Sequence, residues 1–116
     1  MKKALTYFLA LAFFTSFKEE DVPQDLPVCV KDRIAVLKNN PAQNPPEQVW
    51  QYTYQGRTVY YVPPVCCDQM GQLYDQNCNL ICSPDGGLTG AGDGKCTDFF
   101  STRTNGILLW EDSRES

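Results

Sequence analysis

The cysteines constrain this chain more than any other feature. The 116 residues contain six cysteines, and five of them fall within residues 58–98 together with most of the glycines and a dense set of aspartates. An even number of cysteines at this density is typical of small domains in oxidising compartments, where disulfides supplement a core of limited size. The sequence therefore predicts one small domain, built around a disulfide-held region of short strands and tight turns. Its cysteines are Cys29, Cys66, Cys67, Cys78, Cys82 and Cys96, and their pairing stays open because many connectivities are possible.

Two of the cysteines are adjacent. Neighbouring side chains of an extended segment point to opposite faces, so we expect Cys66 and Cys67 to reach different partners and to tie two layers together. A redox-active or metal-binding pair is the alternative. A zinc site of four thiolates, however, typically shows paired short spacings, and only Cys78 and Cys82 come close to that pattern. Structural disulfides are the favoured interpretation.

The amino terminus has the layout of a secretory signal peptide. Lys2 and Lys3 precede an apolar run from Ala4 to Phe14, and a small polar pair and acidic residues follow it. The run is shorter than the ~20 apolar residues that a transmembrane helix needs. We expect residues 1–16 to be removed and the protein to be secreted or periplasmic. No cysteine directly follows the run, so no lipoprotein acylation site is expected.

Charge and composition argue against several functions. The formal net charge is −4, whereas binding to nucleic acid requires clustered Lys and Arg. The chain has no histidine, which removes the commonest general base and the commonest zinc ligand. No catalytic constellation emerges from the remaining residues, so the sequence favours a non-enzymatic protein without a cofactor.

The rest of the chain divides into three parts. Residues 17–27 are charged and proline-containing and predict a flexible linker, residues 28–112 a single Cys-rich domain, and residues 113–116 a frayed tail. A helix is predicted at about 28–39, because Val30, Ile34 and Leu37 follow helical spacing. Asn39-Asn40 and Pro41 supply its stop.

Two hairpins should follow this helix. Glu47 to Tyr54 alternates with a period of two, Gln55-Gly56 predicts a turn, and Arg57 to Val62 predicts the returning strand. A second hairpin is predicted around Asn77–Asn79. The fold class expected is therefore α+β, a small disulfide-stabilised domain in which one N-terminal helix packs on short antiparallel hairpins.

The aromatic residues and the carboxyl end give further predictions. The aromatic face of the first hairpin, with Trp50, Tyr52 and Tyr54, could be a binding surface, but core packing through aromatic cross-strand pairs and burial under the helix is the favoured interpretation. Thr97 is expected to cap a short helical turn that contains Phe99 and Phe100. Residues 107–110 should then form a buried strand after a turn at Asn105-Gly106.

The glycine-rich stretch between Cys82 and Cys96 is the candidate site. A function there would use Asp85, Asp93 and Asp98, which lie in or beside turns where exposed backbone donors, carboxylates and a disulfide-restrained frame coincide. These aspartates suggest calcium only weakly, because the EF-hand spacing is absent. A phosphate-binding loop is discounted, because a cysteine follows the lysine. A plain structural loop closed by Cys82 and Cys96, without a binding function, is the favoured interpretation.

Three segments carry a resemblance to a known family. The runs are YYVPPVCCDQMGQLYD, ICSPDGGLTGAGDGKC and DFF. Through them, about residues 27–110 resemble an uncharacterised family of small exported bacterial Cys-rich domains, a domain of unknown function. That resemblance implies export, and because the family has no assigned activity it supplies no catalytic residues. The run LICSPDGG is also faintly similar to Kazal-type inhibitors, without their cysteine spacing.

Two functions are therefore expected, and a thiol-based enzyme that uses Cys66 or Cys67 is a third, less favoured one. The first is a disulfide-stabilised module that binds an unknown protein or polymer in the cell envelope. The alternative is a protease inhibitor, in which a rigid loop such as Ser83 to Gly94 enters a protease cleft.

Overall fold

The computed structural model describes residues 25–66 and 68–115. The predicted signal peptide, most of the predicted linker and Cys67 lie outside these residues. The expectation that Cys66 and Cys67 reach different partners concerns Cys67 and therefore also lies outside the described residues. The described chain contains two helices and five strands. In chain order they are α1 (Val28–Asn39), β1 (Gln48–Tyr54), β2 (Arg57–Val62), β3 (Gln72–Asp75), β4 (Leu80–Cys82), α2 (Phe99–Thr102) and β5 (Thr104–Glu111). The strands form one antiparallel sheet in the order β4-β3-β2-β1-β5, which confirms the predicted α+β class.

Helix α1 has the predicted bounds and the predicted buried stripe. Val30, Ile34 and Leu37 are its buried residues. The carbonyl of Pro27 accepts hydrogen bonds from the amides of Val30 and Lys31, which starts the helix. The helix ends where Asn40 becomes extended, since the residue before a proline is biased away from helical geometry.

One face of the sheet packs against α1. Val49 of β1 and Tyr60 and Val62 of β2 share a buried cluster with the three apolar residues of α1. Leu26, two residues before the first residue of the helix, belongs to the same cluster. The predicted docking of α1 on the first hairpin is confirmed, and a disulfide from Cys29 to Cys78 links the start of α1 to the β3-β4 turn.

The other face of the sheet carries the aromatic residues of β1. Tyr54, Val59, Tyr61 and Leu73 form a second buried cluster with Cys82, Cys96 and Phe99, and Trp50 and Tyr52 pack at its edge. The predicted packing of this face into a core is confirmed, but the expectation that the helix covers it is wrong. Successive residues of a strand alternate between faces, so the face that presents Val49 to α1 turns Trp50 and Tyr52 to the opposite side.

The carboxyl-terminal predictions need two corrections. Asp98 rather than Thr97 precedes α2, and it makes no side-chain capping hydrogen bond. Residues 107–110 do form part of a strand, but β5 is an edge strand, and Ile107 and Leu108 are exposed rather than buried. Asn105-Gly106 lies inside this strand instead of turning the chain.

Gly106 has a packing role in β5. A Cβ at this position would lie 2.8 Å from Cε1 of Tyr52, which is closer than side chains tolerate, so the ring occupies the space that glycine leaves. After β5, the guanidinium of Arg114 donates to the carbonyls of Leu37 and Asn40 and to the carboxylate of Asp112. These bonds tie the chain after β5 to the end of α1.

Candidate functional site

The glycine-rich loop, defined here as residues 83–95, is closed at its base by a disulfide between Cys82 and Cys96. The predicted closure by these two cysteines is confirmed. The loop leaves the end of β4 and returns just before α2. Cys66 is also disulfide-bonded, and no cysteine among the described residues is free.

The loop follows a series of turns with positive φ. Five of its glycines have φ between 72° and 87°, a region that residues with a side chain rarely adopt. Gly92 shows the tightest constraint: its amide donates to the carbonyl of Gly86, and a Cβ there would overlap the carbonyl oxygen of Ser83. The glycines therefore permit a backbone path that closes on itself.

Asp93 ties the two ends of the loop together. Its Oδ2 accepts a hydrogen bond from the amide of Ser83 at 3.0 Å, and its Oδ1 accepts one from the amide of Lys95 at 3.0 Å. The amide of Asp93 in turn donates to the carbonyl of Ser83 at 2.9 Å. The backbone amide of Lys95 and then that of Ser83 hold the pKa of Asp93 below its ordinary value, against the opposing effect of desolvation.

Asp85 and Asp98 connect the loop and its flank to the sheet. The hydroxyl of Tyr61 donates to Oδ2 of Asp85 at 2.6 Å, and the hydroxyl of Tyr54 donates to Oδ1 of Asp98 at 2.6 Å. The bond to Asp98 and burial raise the pKa of Tyr54 to about 12. Burial, with the bond to Asp85 second, raises the pKa of Tyr61 strongly. Both tyrosines stay neutral donors at physiological pH.

The three candidate aspartates thus engage different partners. Within residues 25–66 and 68–115, no group of three or more His, Cys, Asp or Glu side chains is arranged to hold a metal ion. Asp93 and Asp98 are exposed, and Asp85 is half-buried. Each of the three contributes at least one hydrogen bond that holds the loop or its flank in place.

The tip of the loop presents apolar surface. Leu88 is 91 % exposed. Beside it, the Met70 side chain lies against Gly87, since a Cβ on that glycine would be 2.7 Å from the Met70 sulfur. The amide of Gly87 donates to the carbonyl of Gln69 at 2.8 Å, which anchors the tip to the chain before β3. Sequence reasoning missed Leu88 and Met70, although an apolar residue directly after a Gly-Gly pair is a signal that could have indicated Leu88.

Replacing Gly92 with alanine should lower the free energy of unfolding by at least about 2 kcal/mol. The left-handed backbone alone costs an alanine about 1–2 kcal/mol, and the overlap with the Ser83 carbonyl adds to that. Gly90→Ala is the matched control, because Gly90 also has positive φ but its Cβ would meet no atom within 4 Å. Denaturant unfolding of the two variants measures the difference in their free energies of unfolding. Equal losses of stability would show that the close approach of Gly92 to the Ser83 carbonyl does not constrain the residue at this position.

Comparisons with known proteins give one match. A family model described as Domain of unknown function (DUF6970) matches residues 35–112, which include β1 to β5 and the whole glycine-rich loop. No curated protein and no solved structure matches the chain. Among the described residues, no helix is long and apolar enough to cross a membrane.

Proposed function

The chain belongs to the DUF6970 family of domains of unknown function, and from the geometry of its glycine-rich loop we propose that it is a non-enzymatic, exported bacterial module that binds a protein partner in the cell envelope. The observation that supports this most directly is Leu88, a large apolar side chain that is almost fully exposed at the tip of a restrained loop. Two disulfides with assigned partners and a bonded Cys66 agree with an oxidising compartment.

The restraint of the loop favours binding. The Cys82–Cys96 disulfide, the two hydrogen bonds to the Asp93 carboxylate and the Gly87–Gln69 hydrogen bond hold the backbone before any partner arrives. A surface that is already ordered loses little conformational entropy on association. The free energy gained by burying Leu88, about 1.5–3 kcal/mol for a side chain of this kind, is then available for affinity.

The three aspartates have two roles in this proposal. Asp85 supports the frame through Tyr61. Asp93 and Asp98 also support it, and their exposed side chains place negative charge at the base and the flank of the loop. A partner with an apolar pocket and basic residues beside it would match this surface.

The protease-inhibitor alternative is less well supported by the loop. An inhibitor that enters a protease cleft as a substrate would need an extended segment to pair with the cleft. The glycine-rich loop turns repeatedly instead, with Gly86 and Gly87 both at positive φ just before Leu88. We therefore propose recognition of a partner by the folded tip.

Replacing Leu88 with serine should weaken partner binding at least tenfold without changing the melting temperature. The expected factor follows from losing about 1.5 kcal/mol or more of apolar burial. Partners would be captured from an envelope fraction of the producing organism, and their affinity for the purified parent and variant would then be measured by calorimetry. Val28→Ser is the matched control, because Val28 is exposed on α1. Equal binding by Leu88→Ser and the parent, or a parent that remains in the cytoplasmic fraction, would contradict the proposal.

A further inference from the structure

A polar cavity of about 270 Å³ lies away from the loop tip, between α1, the chain before β1 and the chain around β3. It is separate from the surface proposed for the protein partner, although Met70 lines it on the side of the glycine-rich loop. Its polar wall includes Arg33, Glu47 and Gln72, and its apolar wall includes Val62 and Pro63. The cavity is smaller than the ~300–1,000 Å³ of pockets for drug-sized ligands, so it suits a smaller molecule.

Two buried polar atoms of side chains that line this cavity lack hydrogen-bond partners within the described part of the chain. Nε of Arg33 and Oε1 of Gln72 are buried and unpaired. Glu47 is only 8 % exposed, and its carboxylate accepts no hydrogen bond from the described residues. Buried polar groups are nearly always satisfied in native proteins, so a site with several unsatisfied ones requires an explanation such as a bound molecule.

The charges in the cavity are opposite but not paired. No ion pair joins Arg33 to Glu47 among the described residues, although Arg33 has the largest cationic effect on the pKa of the Glu47 carboxyl group. A molecule between them would need an anionic acceptor for Arg33 and a cationic or neutral donor for Glu47 and Gln72. A carboxylate and an ammonium group on one small molecule meet both needs through charge-assisted hydrogen bonds.

We propose that this cavity binds a free α-amino acid, with its carboxylate on Arg33 and its ammonium group on Glu47 and Gln72. Val62 and Pro63 then face a small apolar side chain. Valine is the probe, because it carries both charged groups and a compact apolar side chain within a volume of this size.

Titrating the full, oxidised chain with valine should give saturable shifts of amide NMR signals at residues that line the cavity. N-acetylvaline lacks the ammonium group and valinamide lacks the carboxylate, so each should bind at least tenfold more weakly than valine, the loss expected for one charge-assisted hydrogen bond. In Arg33→Gln, valine should lose its advantage over valinamide. In Glu47→Gln, it should lose its advantage over N-acetylvaline.

The controls separate this site from a nonspecific charge effect and from the loop. Lys31→Gln removes a positive charge from the exposed side of α1 and should leave valine binding unchanged. Leu88→Ser should bind valine like the parent, so the two proposals can fail independently. Absence of saturable shifts with valine, binding of either derivative as tightly as valine, or parent-like selectivity in Arg33→Gln and Glu47→Gln would each overturn the proposal and leave only water as the occupant.

A pH dependence gives a second readout. Burial raises the pKa of Glu47, Asp112 adds to the increase, and Arg33 and Arg114 oppose it. Because the folded protein favours the protonated acid, the stability linked to this group is full below its unfolded pKa and is lost as pH rises through the folded pKa. Glu47→Gln should therefore melt higher than the parent at pH 7, and this difference should shrink towards pH 4. Valine binding should weaken over the same fall in pH, since it uses the ionised carboxylate.

Discussion

Replacing Phe99 with alanine should lower the free energy of unfolding by about 3–5 kcal/mol, the usual cost of removing a buried phenylalanine. Phe99 is fully buried and lies at the centre of the aromatic cluster on the sheet face opposite α1. Its ring meets those of Tyr54 and Tyr61 at centroid distances of 5.3 and 5.4 Å. Urea unfolding with the disulfides intact, followed by tyrosine and tryptophan fluorescence, would measure the loss.

Phe100→Ala is the matched control for this prediction. Phe100 follows directly in α2 but is 43 % exposed, with its ring against Tyr61 and the Arg103 guanidinium. Its removal should cost about 1 kcal/mol, because the ring stacks on the surface and leaves no cavity. A loss as large as that for Phe99 would show that the Phe100 ring is buried, which would contradict the described position of α2.

The local elements could be predicted from sequence because their signals are local. The helical spacing of Val30, Ile34 and Leu37 requires only one buried face, and α1 has the predicted bounds. The alternation in β1 and the turn at Gln55-Gly56 specify a hairpin in the same way. The helix and hairpin predictions are both confirmed because, in these segments, the local backbone preference and the burial of apolar side chains favour the same structure.

Features that depend on the assembled sheet could not be predicted in this way. Alternation in β1 shows that Val49 and Trp50 lie on opposite faces, but it does not say which face receives α1. The structure places Val49 under α1 and covers the aromatic side with the segment from Cys82 to Phe99. That choice depends on the Cys82–Cys96 loop, which returns the chain over the sheet.

The edge strand and the cavity illustrate the same limit. An apolar run such as residues 107–110 predicts a strand but not its place in the sheet, and pairing with β1 leaves Ile107 and Leu108 exposed at the edge. The cavity unites Arg33 and Gln72, which are distant in sequence. Neither residue belongs to a recognisable sequence motif, so the cavity is visible only once α1 is packed against the sheet.

Replacing Ile34 with aspartate should abolish folding. The side chain of Ile34 lies in the buried cluster between α1 and the sheet. Truncating such a residue costs about 2–5 kcal/mol, and a carboxylate there adds the cost of burying an unpaired charge or of protonating it. A domain of this kind has a total stability of about 5–15 kcal/mol, and a small core places it near the lower end of that range.

Val36→Asp provides the comparison that makes the Ile34 result interpretable. Val36 lies two residues further along α1 and is 48 % exposed, so the same substitution there changes helix propensity and charge without burying a carboxylate. We expect Val36→Asp to retain a cooperative thermal transition, with a cost below about 1 kcal/mol, and Ile34→Asp to show none by circular dichroism. Because the disulfides restrict the unfolded chain in both variants alike, they do not account for a difference between them. A cooperative transition in Ile34→Asp near the parent melting temperature would mean that α1 is not docked through this residue.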